Sequence, residues 1–336
     1  MNVAEIPMAV MRKLNVDRIW ELEDALAARP DALHATAGSP ERFEIVAEGM
    51  KRDDARPPFA AGAIPHMAGS MRGIRRSLAS VSRNPSQPGT QMLEAGIVDL
   101  EAFARSEGVA DIGYARLSPN LVFKNKAVLY QNAIVLTMEM DRRRIDTSPS
   151  KESLVTVHET YHHLGVAANK IAAYLRKRGY AAHAGHPLMG LALYPPLAQQ
   201  AGLGWRGLHG LLITPKFGPR VRLAAVFTSI ENLPFAQVED LHWIEEYCNL
   251  CKLCVRECPP RAILDQPLPR ANGLVTCTVT DRCFPYFMDN YGCSVCIRVC
   301  PFQKQEFAML KRRVSGGQDR DASHSSSQIQ AGQPLP

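Results

Sequence analysis

The sequence predicts an α/β layer followed by a small, separate domain built around cysteine. Two observations carry this reading. Helix-like and strand-like segments alternate from about 91 to 240, and all nine cysteines fall between Cys248 and Cys300. The length of 336 residues corresponds to about two domains at roughly 150 residues each.

Residues 1 to 90 read as an irregular and helical wrapping segment. They are polar, with a helical patch at Val16 to Ala28, and Pro57, Pro58, Pro65, Pro85 and Pro88 interrupt any long element. Residues 91 to 240 form the α/β core. Ile97 to Gly108 reads as a helix, and Ala127 to Met138 holds the apolar run AIVLTM of a buried strand. Lys151 to Arg178 reads as a long helix. Leu154, Val157, Tyr161, Leu164, Ala168, Ile171 and Leu175 keep three-to-four spacing, and Gly179 stops it. Gly210 to Thr214 and Val221 to Thr228 read as strands, without fixing a topology. Residues 241 to 312 hold the cysteines, and the polar Gly/Ser/Gln-rich residues 313 to 336 read as a disordered tail.

Composition narrows the function. Apolar residues at 46% and charged residues at 21% suit a soluble globular chain. No apolar run reaches the roughly 18 residues of a membrane span. The net charge of +6 is spread along the chain and favours no nucleic-acid partner. Met1 to Trp20 has no apolar h-region or cleavage site, and the Arg75–Arg76 pair lies too far in for an export signal. The expected location is the cytoplasm, where thiols stay reduced and hold metal.

Cysteine spacing is the strongest signal. Cys248, Cys251, Cys254 and Cys258, followed by Pro259, form the C-x2-C-x2-C-x3-C-P run of bacterial ferredoxins. Its first three thiolates reach three irons of one cubane, and its fourth points to another. A matching second run is therefore expected, and Cys293, Cys296 and Cys300 followed by Pro301 provide it, with Cys283 ten residues upstream. The cross-over rule gives two 4Fe–4S clusters, one on Cys248, Cys251, Cys254 and Cys300 and the other on Cys258, Cys283, Cys293 and Cys296. Cys277 competes with Cys283, which is preferred because Cys283-Phe-Pro-Tyr-Phe leads directly into the Gly292-Cys293 turn. Zinc in two four-cysteine sites is the alternative, and the paired C-x3-C-P endings argue against it. A bare electron carrier needs only the cysteine domain, so the remainder should bind whatever uses the electrons.

Gly202, Gly204 and Gly207 fit G-x-G-x-x-G. A dinucleotide fingerprint needs a strand before it and a helix after it, and here the order is reversed. A glycine-rich loop can still bring backbone close to a large polar ligand.

The stretch from Ala201 through Leu223, AGLGWRGLHGLLITPKFGPRVRL, followed by the two cysteine runs, resembles the corrinoid-dependent reductive dehalogenase family. The related epoxyqueuosine reductases share the AGLGW and double-cluster features. The resemblance covers roughly residues 91 to 305. It implies a nitroreductase-like core that binds cobalamin, with a ferredoxin-like module supplying electrons. Within the glycine stretch it points to Gly202, Gly204, Gly207, His209, Gly210 and Lys216 as cofactor-binding residues. It implies reductive dehalogenation of a small organohalide, with Tyr161 as proton donor. A nearby cation favours release of that proton; Arg220 is the first choice, ahead of Lys216 and Arg222. An external donor, a ferredoxin, flavodoxin or reductase, would supply the electrons.

His162 lies one residue from a D-x-H-x-x-G cobalt-ligating pattern but lacks the orienting aspartate, so it reads as a pocket or core histidine. His186 and Pro187 read as pocket-lining residues. Two alternatives stay open. An epoxyqueuosine-reductase-like enzyme acting on tRNA is disfavoured because Leu191 to Pro196 carries no acid where those enzymes have Asp-Thr-Ala-Pro. A pure carrier with two 4Fe–4S clusters is the other. The absence of a twin-arginine leader argues against a periplasmic respiratory role.

Overall fold

A computed structural model describes residues 16–42, 60–235 and 241–313. Pro57, Pro58 and the expected tail from 314 onwards lie outside these residues. The first elements are α1 (Asp17–Ala27), β1 (Leu33–His34) and α2 (Ile64–Ala79). Pro65 does not interrupt α2 but sits in its first turn, where a missing N–H costs nothing and the fixed φ already suits a helix.

The core follows as α3 (Glu94–Ser106), β2 (Asp111–Arg116), β3 (Ala127–Val128), β4 (Asn132–Glu139), α4 (Arg142–Ile145), α5 (Lys151–Lys177), β5 (Ala182–Gly185), α6 (Tyr194–Gln200), β6 (Trp205–Arg206), β7 (Leu212–Ile213) and β8 (Val221–Thr228). Four strands form one sheet in the order β2-β4-β8-β5. Every pairing is antiparallel. The apolar run of β4 explains its inner place, because both faces of that strand are covered. Ile134, Leu136, Ala224 and Val226 face α5 and α3, packing with Leu164, Ala168, Ile171, Leu175 and Leu100. Ala133, Val135, Ala225 and Phe227 face the other way, against Leu197 and Ala198 of α6 and the apolar stripes of α1 and α2. Residues before 90 thus contribute to one of the two core layers.

The long helix α5 starts where the chain supplies its own cap. Ser150 Oγ accepts from the Ser153 backbone N–H at 3.0 Å, and Ser153 Oγ accepts from the Ser150 N–H at 3.1 Å. Two amides without helical partners are satisfied in this way. Gly179 follows at φ +84°, a left-handed turn that ends the helix.

The cysteine region comprises α7 (Trp243–Cys251), α8 (Leu253–Arg256), an antiparallel hairpin of β9 (Ile263–Pro269) and β10 (Val275–Thr278), α9 (Thr280–Asp289) and α10 (Val295–Arg298). It docks on the core through Ile213, Leu241, Ile244, Cys300 and Phe302, with Trp205 at the margin. No helix among the described residues is long and apolar enough to cross a membrane.

Candidate metal and active centre

Local backbone geometry explains the first cysteine run. Helix α7 ends at Cys251, Lys252 adopts a left-handed conformation (φ +46°), and α8 restarts at Leu253. The reversal lets Cys248, Cys251 and Cys254 converge instead of spiralling around one helix. Gly292, at φ +67°, turns the chain into Cys293.

The nine cysteines are free thiols among the described residues, and eight of them gather in two sets. Burial raises the Cys300 thiol well above its usual range, and the thiols of Cys248, Cys254 and Cys251 add to this. Cys248 is pushed up to about 12 by burial first; an N–H from Leu208 works against this and the neighbouring thiols with it. In the second set, burial pushes Cys283 up to about 11, with Cys258 and Cys293 adding to it. Burial also raises Cys296, reinforced by Cys293, Cys254, Cys283 and Cys258. The influence of Cys254 on Cys296 marks where the sets adjoin. Four thiols crowded into a buried space resist deprotonation unless a cation compensates the charge, and iron in a thiolate-ligated cluster is such a cation. The donor sets therefore fit two 4Fe–4S clusters. Ala262 N–H also donates to Cys258 Sγ at 3.3 Å, the kind of contact that sets a cluster's potential. Cys277 stands apart on β10, where it lies against Gly210 and feels Arg206 and Glu245.

The glycine segment is engaged largely by the protein itself. A Cβ on Gly204 would lie 2.2 Å from the Ile213 carbonyl oxygen, and one on Gly207 would lie 2.7 Å from the Ile213 side chain. Gly202 and Gly210 sit at φ +74° and +79°. These glycines permit the tight β6–β7 hairpin, whose Trp205 donates to Glu245 of α7 at 3.3 Å. Gly218 reaches further: its Cβ would lie 2.6 Å from the Phe302 carbonyl, just after Cys300. Gly204 and Gly207 thus lie against the core's own Ile213, and Gly218 lies at the seam between core and cysteine region. Lys216 is exposed, with Nζ 5.0 Å from the Phe217 ring centre. His209 is buried, its Nδ1 accepts from Leu211 N–H at 3.2 Å, and its Nε2 has no partner. Among the cofactor candidates, His209 Nε2 is a buried polar atom without a partner, which suits a group that brings a polar atom to it.

Tyr161 lies half-buried on α5 in a small apolar cluster with Val157, Ile297, Leu211 and Cys296. The cation brought to it is Arg222, whose guanidinium carbon stands 4.5 Å from the ring centre. Arg220 is engaged elsewhere: its Nη1 donates to Glu139 and, at 2.7 Å, to the Met140 carbonyl. The signal for Arg222 was its place inside β8, on the face of Ala224 and Val226 that packs on α5, whereas Arg220 precedes the strand. His158, one turn before Tyr161, is pushed down to about 4 by burial first and by Arg222 second, and its Nδ1 has no partner. His186 is buried with Nε2 unpartnered; a Cβ on Gly165 of α5 would lie 2.0 Å from that atom.

These features define an iron–sulfur type of cysteine region docked on an α/β core, and the model of the 4Fe-4S binding domain family matches residues 241–264. The chain is a relative of the reductive dehalogenases and, more distantly, of the epoxyqueuosine reductases. It is 37% identical over 226 residues to tetrachloroethene reductive dehalogenase of Desulfitobacterium hafniense, covering 62% of this chain and 39% of that one. It is 34% identical over 115 residues to epoxyqueuosine reductase of Listeria monocytogenes, covering 32% of this chain and 29% of the relative. The fold is shared with a catabolic reductive dehalogenase solved with 3-bromo-4-hydroxybenzoic acid. The TM-score is 0.63 at 19% identity, over 81% of this chain and 41% of that one. The chain thus spans about 39% of the length of the dehalogenase it matches.

Proposed function

We propose that this chain is a corrinoid- and iron–sulfur-dependent reductase acting on a small organohalide, with a nitroreductase-like cobalamin-binding core and two 4Fe–4S clusters. The observation that carries this reading is that Tyr161 and Cys296 border the same apolar cluster of Val157 and Ile297, while Arg222 lies over the tyrosine ring. A proton donor with its cation and a cluster ligand then border one apolar patch. The sequence similarity to tetrachloroethene reductive dehalogenase supports the substrate class.

When bound, the corrinoid supplies a cobalt centre able to reduce a carbon–halogen bond. The chain's own residues do the rest. Cys258, Cys283, Cys293 and Cys296 hold the cluster nearer the site, and the other four thiolates pass electrons on from an external ferredoxin, flavodoxin or reductase. Tyr161 delivers a proton from its hydroxyl to carbon as halide leaves. The guanidinium of Arg222 favours the negative charge left on the phenol oxygen. His158, buried and neutral, adds no competing positive charge.

The test is reconstitution of anaerobically purified, cluster-loaded protein with hydroxocobalamin, followed by a halide-release assay. Retained corrinoid absorbance, about eight iron and eight sulfide per chain, and halide release lost in Tyr161→Phe are expected. Iron–sulfur absorbance without retained corrinoid identifies a pure electron carrier and overturns the proposal. Turnover of epoxyqueuosine-modified tRNA without halide release does so too, in favour of the tRNA-modifying alternative. Zinc in place of iron overturns the cluster assignment.

A further inference from the structure

We propose that His66, His162 and His163 form a site for one divalent transition-metal ion of the zinc type, clasping α2 to α5. The three side chains each offer a ring nitrogen, and these atoms all lie within 4.8 Å of one another. No other group of three or more His, Cys, Asp or Glu side chains among the described residues meets that condition. The site does not depend on the dehalogenase reading, and it uses none of the cluster thiols.

The geometry fits. His66 Nδ1 and His162 Nδ1 are 3.4 Å apart. Two ligands at the usual zinc–nitrogen distance of about 2.0–2.1 Å and a tetrahedral angle stand roughly 3.3–3.4 Å apart. No separation must close by more than about 1.4 Å to reach this geometry. His163, the exposed member, has the freedom to close that gap. The rings are close neighbours: His66 is tilted 57° to His162 and 88° to His163, with centroids 5.6 Å away in each case.

The fold makes room for this arrangement. A Cβ on Gly69 would lie 2.3 Å from His162 Nε2. The His162 ring therefore rests in a notch on α2, one turn beyond His66, with Nε2 against the notch and Nδ1 towards His66. In the metal-free state one proton shared between the two Nδ1 atoms satisfies both, and a metal ion replaces that proton. Imidazole suits zinc, copper and nickel, and three protein ligands leave one tetrahedral position for water. Arg72 places positive charge near His162, which tempers the affinity without changing the ligand set.

The experiment uses the full chain with its clusters loaded and zinc chloride as the probe. After dialysis at about ten micromolar zinc, wild type should carry about one zinc per chain with its iron undiminished. His66→Gln and His162→Gln should each weaken uptake at least tenfold, since even partners of metal ligands are worth about 10–100-fold. Zinc should also raise the thermal midpoint of wild type but not of either variant. Should the variants fail to fold, zinc X-ray absorption of wild type decides alone. A shell of nitrogen and oxygen at about 2.0 Å is expected, and sulfur at about 2.3 Å would place the zinc on cysteines instead. Absence of zinc uptake by wild type, uptake unchanged in folded variants, or sulfur ligation would each overturn the site.

Discussion

Gly218→Ala tests whether the glycine segment serves as the seam between core and clusters. Gly218 sits at φ +57°, and a Cβ there would lie 2.6 Å from the Phe302 carbonyl carbon and oxygen and 2.8 Å from Gln303 N. All three are backbone atoms, so no side chain can swing aside. The left-handed conformation costs an alanine about 1–2 kcal/mol, and overpacking a fixed neighbour adds about 1–3 kcal/mol. The expected loss is about 2–5 kcal/mol. Gly179→Ala is the matched control: it sits at φ +84° with nothing within 4 Å of the added Cβ, so it carries the conformational cost alone. The entropy that alanine removes from the unfolded chain is the same in both and cancels in the comparison.

Phe302 N–H also lies against the Cys300 thiol and works against the rise in its pKa. Moving Phe302 therefore disturbs one proposed cluster ligand directly. Urea titration of the cluster-loaded protein should place Gly218→Ala about 1–3 kcal/mol below Gly179→Ala. Iron analysis after gel filtration should find iron lost from Gly218→Ala and kept in Gly179→Ala. Equal urea midpoints with full iron in both would refute the seam.

Other consequences are equally direct. Glu23 is almost fully buried and accepts from Arg42 at 2.7 Å and Lys126 at 2.6 Å; Glu23→Gln strands those cations and should cost about 3–5 kcal/mol, read as a lowered urea midpoint. His183 is fully buried, neither ring nitrogen has a partner, and burial pushes it down to about 4. Because its folded pKa lies below the usual 6.5, stability is complete above that value and falls on acidification towards 4. The urea midpoint between pH 7.5 and 5.5 should fall less steeply in His183→Leu, the difference approaching about 1.4 kcal/mol per pH unit; parallel slopes would remove His183 as the cause. Arg222→Gln should lower halide release by up to about 30-fold, equivalent to the roughly 2 kcal/mol of a desolvated cation–π contact. Arg220→Gln should act on stability instead, since its partner is Glu139; a larger activity loss there than in Arg222→Gln would reverse the assignment.

What was legible in the sequence follows the range of the forces involved. The helix over Lys151–Lys177 and the strand run AIVLTM were readable because burial imposes a period on neighbouring residues. The grouping of thiols was readable because cluster ligation restricts spacing within a short run. Contacts made across the chain left no such trace. His66 and His162 are separated by 96 positions and meet only because α2 lies across α5. The glycines looked like a ligand cradle because close approach demands glycine whatever approaches. The sequence does not say what approaches, and at Gly204 the folded chain brings the Ile213 carbonyl close. Arg220 and Arg222 differ by two positions and carry the same charge. Glu139 beside the first and the Tyr161 ring beneath the second set their surroundings apart. A pattern of residue types therefore fixes which chemistry is present, while long-range packing decides which copy of a residue performs it.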